Sequence, residues 1–240
     1  MAKYFFDCEF IEGFHKPLFG KRRHFIDLIS IGIECDDGRS LHLISNEYNY
    51  NDADQWVKDN VLMPLYKDTV HGDMRNTYGV DNFQKLYGVS NKNIATFIAL
   101  FVNSEPVAVT DLGGGSVELT KDAVNNLFRG FLEPEFYAYY ADYDWVVFCS
   151  LFGRMIDLPA GFPMYCRDLK QMLDEKQNSR QNLFNQIHDK EYGLPQHANS
   201  NLINPLDLKE HPNYPKQENE HSALDDAKWN FELYKFLIKL

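Results

Sequence analysis

Close-spaced cysteines are missing from this chain. Its four, Cys8, Cys35, Cys149 and Cys166, stand far apart with no Cys-x-x-Cys pair, which speaks against a zinc module or a disulfide-stapled scaffold. Long apolar runs are missing too, since none approaches the ~18 residues of a membrane span, and no membrane partner is expected. The start, Met1-Ala2-Lys3-Tyr4-Phe5-Phe6-Asp7, carries one basic residue and soon meets an acid, unlike a secretory signal. These absences lead us to expect a soluble protein of the reducing cytoplasm. Positive charge is scarce: 24 Lys and Arg face 35 Asp and Glu, for a formal charge of −11. That balance excludes a protein that coats nucleic acid through a broad basic face. Internal repeats and a convincing linker are also absent, so residues 1–240 are expected to form one domain.

What is present suits a folded domain. Hydrophobic residues make up 44% and charged residues 25% of the 240, enough to build a core without disulfides. With 18 Phe, 14 Tyr and 3 Trp, aromatic side chains can fill that core and still line a stacking surface.

The opening residues read as strands. Residues 3–10 are short, aromatic and bounded by Gly13; residues 25–35 (FIDLISIGIEC) are rich in isoleucine; Asp36-Asp37-Gly38 makes a tight turn; and 39–45 (RSLHLIS) alternates as a hairpin strand should. Residues 13–24 between the first two strands are expected to be a loop, with Lys16, Lys21, Arg22 and Arg23 and no acid. Trp56, Val57, Val61, Leu62 and Leu65 recur at helical spacing after Asp52 or Asp54. Residues 67–89 lack periodicity. Ser90 reads as the cap of a helix through Ile94, Phe97, Ile98, Phe101 and Val102, and a further helix is expected from Thr120 or Lys121 to Leu132.

Residues 135–141 (EFYAYYA) suit a buried strand, 144–152 a helix, 162–166 a short strand and 167–176 a helix. Polar residues 177–219 read as a long exposed loop, and 221–240 as a closing amphipathic helix. Hairpin strands followed by alternating helices and strands argue for an α/β fold: a mixed sheet, antiparallel at first and then parallel, flanked by helices.

Acids stand where acids are awkward. Asp7 and Glu9 lie two apart in the first strand and share a face. Asp144 follows the aromatic strand, and Asp226 falls where the last helix begins. A carboxylate beside a hydrophobic strand is costly unless something pairs it, and a hard divalent cation is one solution. Singly each has an ordinary explanation: an exposed edge strand, a helix cap, a solvated first turn. Their joint occurrence, in order, is what argues for a site. Asp142 competes with Asp144 and Asp225 with Asp226, and Asp168 reads as a cap.

At these residues the chain resembles the DEDDh branch of the 3′–5′ exonucleases, whose fold is ribonuclease H-like. The motifs are Phe6-Asp7-Cys8-Glu9-Phe10, then Tyr143-Asp144, then His221-x-Ala223-x-x-Asp226-Ala227, with Ile26-Asp27-Leu28-Ile29-Ser30-Ile31-Gly32 at the second strand. Within that branch the chain is most similar to the small mycobacterial-type exoribonucleases, through DCEFIE, LISIGI, YAYYADYDWVVFCSLFG and FPMYCRDLKQ. The likeness covers 3–66, 133–176 and 219–238. It fades over 67–132 and 177–218, which read as insertions or diverged loops.

The resemblance implies that Asp7, Glu9, Asp144 and Asp226 hold two Mg²⁺ or Mn²⁺ ions, with Asp7 bridging them, and that His221 is the general base. It also places an aromatic before the second acid, which favours Asp144 over Asp142, and its His-x4-Asp-Ala spacing favours Asp226. The implied activity is hydrolysis of phosphodiester bonds from a free 3′ end, releasing nucleoside 5′-monophosphates, with RNA favoured over DNA and a homodimer allowed. The alternatives are an exodeoxyribonuclease or a binding module that kept the fold. Lys16, Arg22 and Arg23 are candidate phosphate contacts, and Phe10 and Trp145 candidate base-stacking rings. Gly113-Gly114-Gly115 resembles the phosphate loop of actin-like phosphatases, but the partner motifs are lacking and a flexible loop is expected.

Overall fold

A computed structural model describes residues 2–15, 20–103, 133–192 and 207–240. Strands β1 (Lys3–His15) and β2 (Arg23–Cys35) form a long antiparallel hairpin, and the turn at Gly38, whose φ is +89°, returns the chain as β3 (Ser40–Ile44). Strand β4 (Glu135–Ala138) joins β1 in parallel, and β5 (Arg167–Asp168) joins β4. Among the described residues the sheet has five strands in the order β3-β2-β1-β4-β5. This is the α/β mixed sheet, antiparallel and then parallel, expected from the element order, and it is consistent with the ribonuclease H-like fold that the resemblance implies.

Four expectations are corrected. Residues 13–15 and 23–24 are strand, not loop, because the Phe25 ring lies across Gly13, 2.8 Å from where a Cβ would stand, and shields a glycine that otherwise weakens a strand. The strand expected at 135–141 stops at Ala138, and Tyr140, with φ +56°, turns the chain into a helix beginning at Ala141. The strand expected at 162–166 lies instead at Arg167–Asp168, since Pro163 has no N–H for a ladder. The loop expected from 177 is helical as far as Tyr192, because its Gln, Lys, Arg and Glu residues form helix even without an apolar stripe. The helix expected over 120–132 and the Gly113–Gly115 loop lie outside the described residues.

Besides short turns such as Gln84–Tyr87, the longer helices among the described residues are α1 (55–69), α2 (Asn91–Asn103), α3 (Ala141–Phe152), α4 (Leu169–Tyr192) and α5 (Ala223–Leu237). Asp54 caps α1 by accepting from the Val57 N–H at 2.8 Å, and Lys58–Leu62 within it is wound as a π-helix. The Ser90 hydroxyl accepts from Asn93 N at 3.3 Å, as a cap for α2 should. No helix among the described residues is long and apolar enough to cross a membrane. All four cysteines are free.

Alternation along β1 decides what each layer sees. Tyr4, Phe6 and Cys8 face α2 and α3, in a core with Ile94, Ile98, Val147 and Phe148. On the opposite face Phe5 packs with Leu169, Trp229 and Leu233, while Ile11 packs with Ile29, Val61 and Leu62. Burying one such side chain contributes about 1.5–3 kcal/mol. Asp7 and Glu9 occupy the two positions of that face between Phe5 and Ile11, where two apolar clusters part. Just past Glu9 the β1–β2 register slips by one, from Glu9 opposite Ser30 to Phe10 opposite Leu28, and such bulges re-aim side chains beside sites.

Candidate active site

Three acids converge from elements remote in sequence. Carboxylate oxygens of Asp7, Glu9 and Asp226 all lie within 4.8 Å of one another. Asp7 and Glu9 come together through strand periodicity alone. Asp226 is brought to them by Gly32, which pairs with Asp7 across the hairpin. A Cβ on Gly32 would stand 2.2 Å from the Ala223 carbonyl oxygen and 2.3 Å from Leu224 N. Only glycine lets the first turn of α5 rest so closely on β2.

Asp144 arrives from α3 along another edge. Strand β4 covers β1 only from Lys3 to Phe5, which leaves the next peptide groups of β1 without a neighbouring strand on that side, among the described residues. Asp144 Oδ1 accepts from the Cys8 N–H at 3.0 Å, and Asn230 Nδ2 donates to the Phe6 carbonyl at 3.0 Å. The peptides on both sides of Asp7 are thereby pinned. Asn230 is 1% exposed, and its Oδ1 has no hydrogen-bond partner. Of the competing acids, Asp142 is exposed, and Asp225 pairs with Lys228 at 3.8 Å; Asp144 and Asp226 line the cleft. Asp168 caps, as expected, accepting from Tyr140 N and Lys170 N at 3.2 and 2.7 Å.

Crowding and partial dehydration strengthen the hold of these carboxyls on protons. Burial first, then repulsion from Asp144, Glu9 and Asp226, raises Asp7 well above the usual carboxylate range. Burial and the charges of Asp226 and Asp144 push Glu9 up to about 8. Burial pushes Asp144 up to about 7, although the Cys8 N–H opposes the shift. Asp226 is also raised by burial, against hydrogen bonds from Gln217 and the His221 N–H. Hard oxygen donors that repel one another suit an octahedral divalent cation, and the donor set fits Mg²⁺ or Mn²⁺.

His221 stands at the lip in a left-handed conformation, φ +69°, that non-glycine residues seldom adopt. Its N–H donates to Asp226 Oδ2 at 2.9 Å, and its ring meets Trp56 edge to face with centroids 4.8 Å apart. Gln217 Nε2 donates to the other Asp226 oxygen at 2.6 Å. Trp56, Gln217, Asn230 and Gly32 were not singled out from sequence. Trp56 read as one of the residues at helical spacing along one helix face, and it is 53% exposed. A glycine amid isoleucines was the one legible signal.

The acids open into a cleft of about 780 Å³ walled by Phe10, Phe14, Trp56, Tyr140 and Tyr143. Phe10 lies there, its ring nearly parallel to Tyr143 at 6.1 Å. Trp145 does not: its ring stacks on Phe148 at 5.0 Å and packs against Phe6 and Phe136 in the core. Arg22 lies over the Phe14 ring at 5.1 Å, and Arg23 is exposed where β2 begins. Lys16 lies outside the described residues.

No family model matches the chain. Two curated proteins of Mycobacterium tuberculosis, from strains CDC 1551 / Oshkosh and H37Rv, are each named 3′–5′ exoribonuclease. Each is 27% identical to this chain over 175 residues, 72% of this chain and 75% of the relative. The similarity to mycobacterial 3′–5′ exoribonucleases expected from the motifs is thus found.

Proposed function

We propose that this protein is a divalent-cation-dependent 3′–5′ exoribonuclease that releases nucleoside 5′-monophosphates. The observation that carries the reading is the meeting of Asp7, Glu9 and Asp226 oxygens within 4.8 Å, with Asp144 bonded to the adjoining peptide. The name shared by the two mycobacterial relatives supports it and favours RNA. Asp7, Glu9 and Asp226 would hold one cation, and Asp7 with Asp144 a second. Two such ions, when bound, supply Lewis-acid stabilisation to the entering and leaving oxygens of an in-line displacement.

The chain's own groups do the rest. His221, held at the lip by its backbone bond to Asp226 and by the Trp56 ring, takes a proton from the attacking water as general base. The water oxygen bonds to phosphorus as the bond to the 3′ oxygen breaks. That oxygen takes a proton from solvent water and becomes the new 3′ hydroxyl of the shortened strand. Gln217 keeps Asp226 in place by its bond to Oδ1, and the aromatic walls offer rings on which the terminal base stacks.

The test is incubation of 5′- and 3′-labelled RNA and DNA oligonucleotides with Mg²⁺ or Mn²⁺, beside Asp7→Asn and His221→Ala variants. Stepwise shortening from the 3′ end, faster on RNA and abolished or reduced by at least a hundredfold in both variants, is expected. Internal cuts, or rates indifferent to both substitutions, would overturn the mechanism. Faster shortening of DNA would move the substrate to deoxyribonucleotides.

A further inference from the structure

The cleft is a groove rather than a pit. Every residue of β1 from Asp7 to Phe14 lines it, and at about 3.4 Å per residue Phe14 stands roughly 17 Å beyond Glu9. That is farther than a single terminal nucleotide at the acids can reach. The other end is closed, because Phe5 is sealed under Tyr137, Phe231 and Tyr234. Residues of both faces of β1 line the groove because β4 leaves that edge of the strand uncovered, so a strand whose 3′ end enters at the acids runs out along this open edge, past Phe10, towards Phe14.

The outer hairpin is equipped for such a strand. Phe14 near the end of β1 is 57% exposed, its ring met edge to face by His24 at 5.3 Å. The Arg22 guanidinium lies 5.1 Å over that ring, and Lys21 and Arg23 are exposed on either side of it. Of the two acids on the arm beyond Glu9, Glu12 is taken up by His24 Nε2 at 2.7 Å and Asp27 lies farther in, opposite Ile11. A chain of formal charge −11 repels phosphates over most of its surface, so a local run of three cations beside a half-exposed ring marks where a polyanion can be tolerated. An exposed aromatic with cations tracking a backbone is how single-stranded nucleic acid is held without reading its sequence.

We propose that the outer β1–β2 hairpin, through Phe14 and Arg22, binds the single strand on the 5′ side of the bond to be cut. The substrate is then a single-stranded 3′ tail of several nucleotides rather than a dinucleotide. Phe14 stacks on a base and Arg22 pairs with the phosphate beside it. This inference rests on the exonuclease reading.

The experiment compares full-length wild type with Phe14→Ala, Arg22→Ala and the double variant, using 5′-fluorescein RNA of two, five and ten nucleotides. Affinity is read by anisotropy in EDTA and kcat and KM are read with Mn²⁺. Lys239→Ala, an exposed cation at the far end of α5, controls for net charge. The double variant should weaken decamer binding and raise its KM about tenfold or more, with kcat within about twofold and dinucleotide affinity changed far less. Arg22→Ala should also flatten the dependence of log K on log salt by about 0.7, unlike Phe14→Ala. Equal losses on two and ten nucleotides, no loss on either, or the same loss in Lys239→Ala would overturn the arm while leaving the nuclease intact. A wild type that binds and cleaves none of these strands would instead remove the exonuclease reading, and this inference with it.

Discussion

Glu9 shows what the acidic cluster costs the fold. Its carboxyl titrates at about 8 in the folded chain and near 4.5 when unfolded, so the folded form binds its proton more tightly. That contribution to stability is fully present below about pH 4.5 and drains away as pH rises to about 8. Asp144, raised to about 7, acts in the same direction. Without cations the protein should therefore melt at a lower temperature at pH 8 than at pH 5. Thermal denaturation in EDTA checks this, and Glu9→Gln should flatten the slope. Mn²⁺ should raise the melting temperature more at pH 8, where the ligands are free of protons; an equal gain at both values would count against cation binding by these acids. Gln217→Ala removes a bond to a charged group worth about 1.5–3 kcal/mol. It should raise the Mn²⁺ concentration for half-maximal activity several-fold, measured by titrating the metal.

Among elements, the seating of α5 on β2 matters most. Asp226 reaches Asp7 and Glu9 only because nothing projects from Gly32 towards Ala223 and Leu224. Gly32→Ala sets a methyl against backbone, which cannot swing aside as a side chain can. Overpacking of this kind costs about 1–3 kcal/mol. The variant should melt several degrees lower and lose at least tenfold in kcat at temperatures where circular dichroism still shows it folded. Full activity in a stable variant would mean that α5 does not set the position of Asp226. Asn230 works between the same elements from the other side, tying α5 to the Phe6 carbonyl. Leucine at 230 would leave that carbonyl unpaired, at about 1–3 kcal/mol, and should loosen both stability and the acid geometry.

Over the whole molecule, charge is distributed against its total. A formal −11 keeps phosphates off the general surface, while the exposed cations Lys21, Arg22 and Arg23 gather on one arm of the groove. Single-strand binding that uses three phosphate contacts should fall with salt at a log–log slope of about −2. A slope near −7, as for a broad basic face, would contradict a grip confined to the arm. Anisotropy of a labelled decamer in EDTA across a salt series measures it.

Much of this was legible in the chain itself, and what was legible is local. A period of two puts Asp7 and Glu9 on one face wherever residues 3–10 are strand, and hairpin chemistry joins β1, β2 and β3 whatever else surrounds them. The ambiguities were those that only distance in space resolves. The resemblance favoured Asp144 over Asp142 through the aromatic before it, but only the fold brings Asp144 to Cys8, and nothing in Trp56 or Trp145 says which ring is packed in the core and which lies in the cleft. Phe6 and Asn230 meet across 224 positions, and Gly13 stays in a strand because Phe25 crosses it. The amino-acid sequence by itself determined the acids, their order and the strand that pairs the first two, since these follow from backbone geometry and side-chain chemistry over a few residues. Tertiary structure decided which acids share one centre, which aromatic rings line the cleft and where the positive arm lies, because each depends on how closely remote elements can pack.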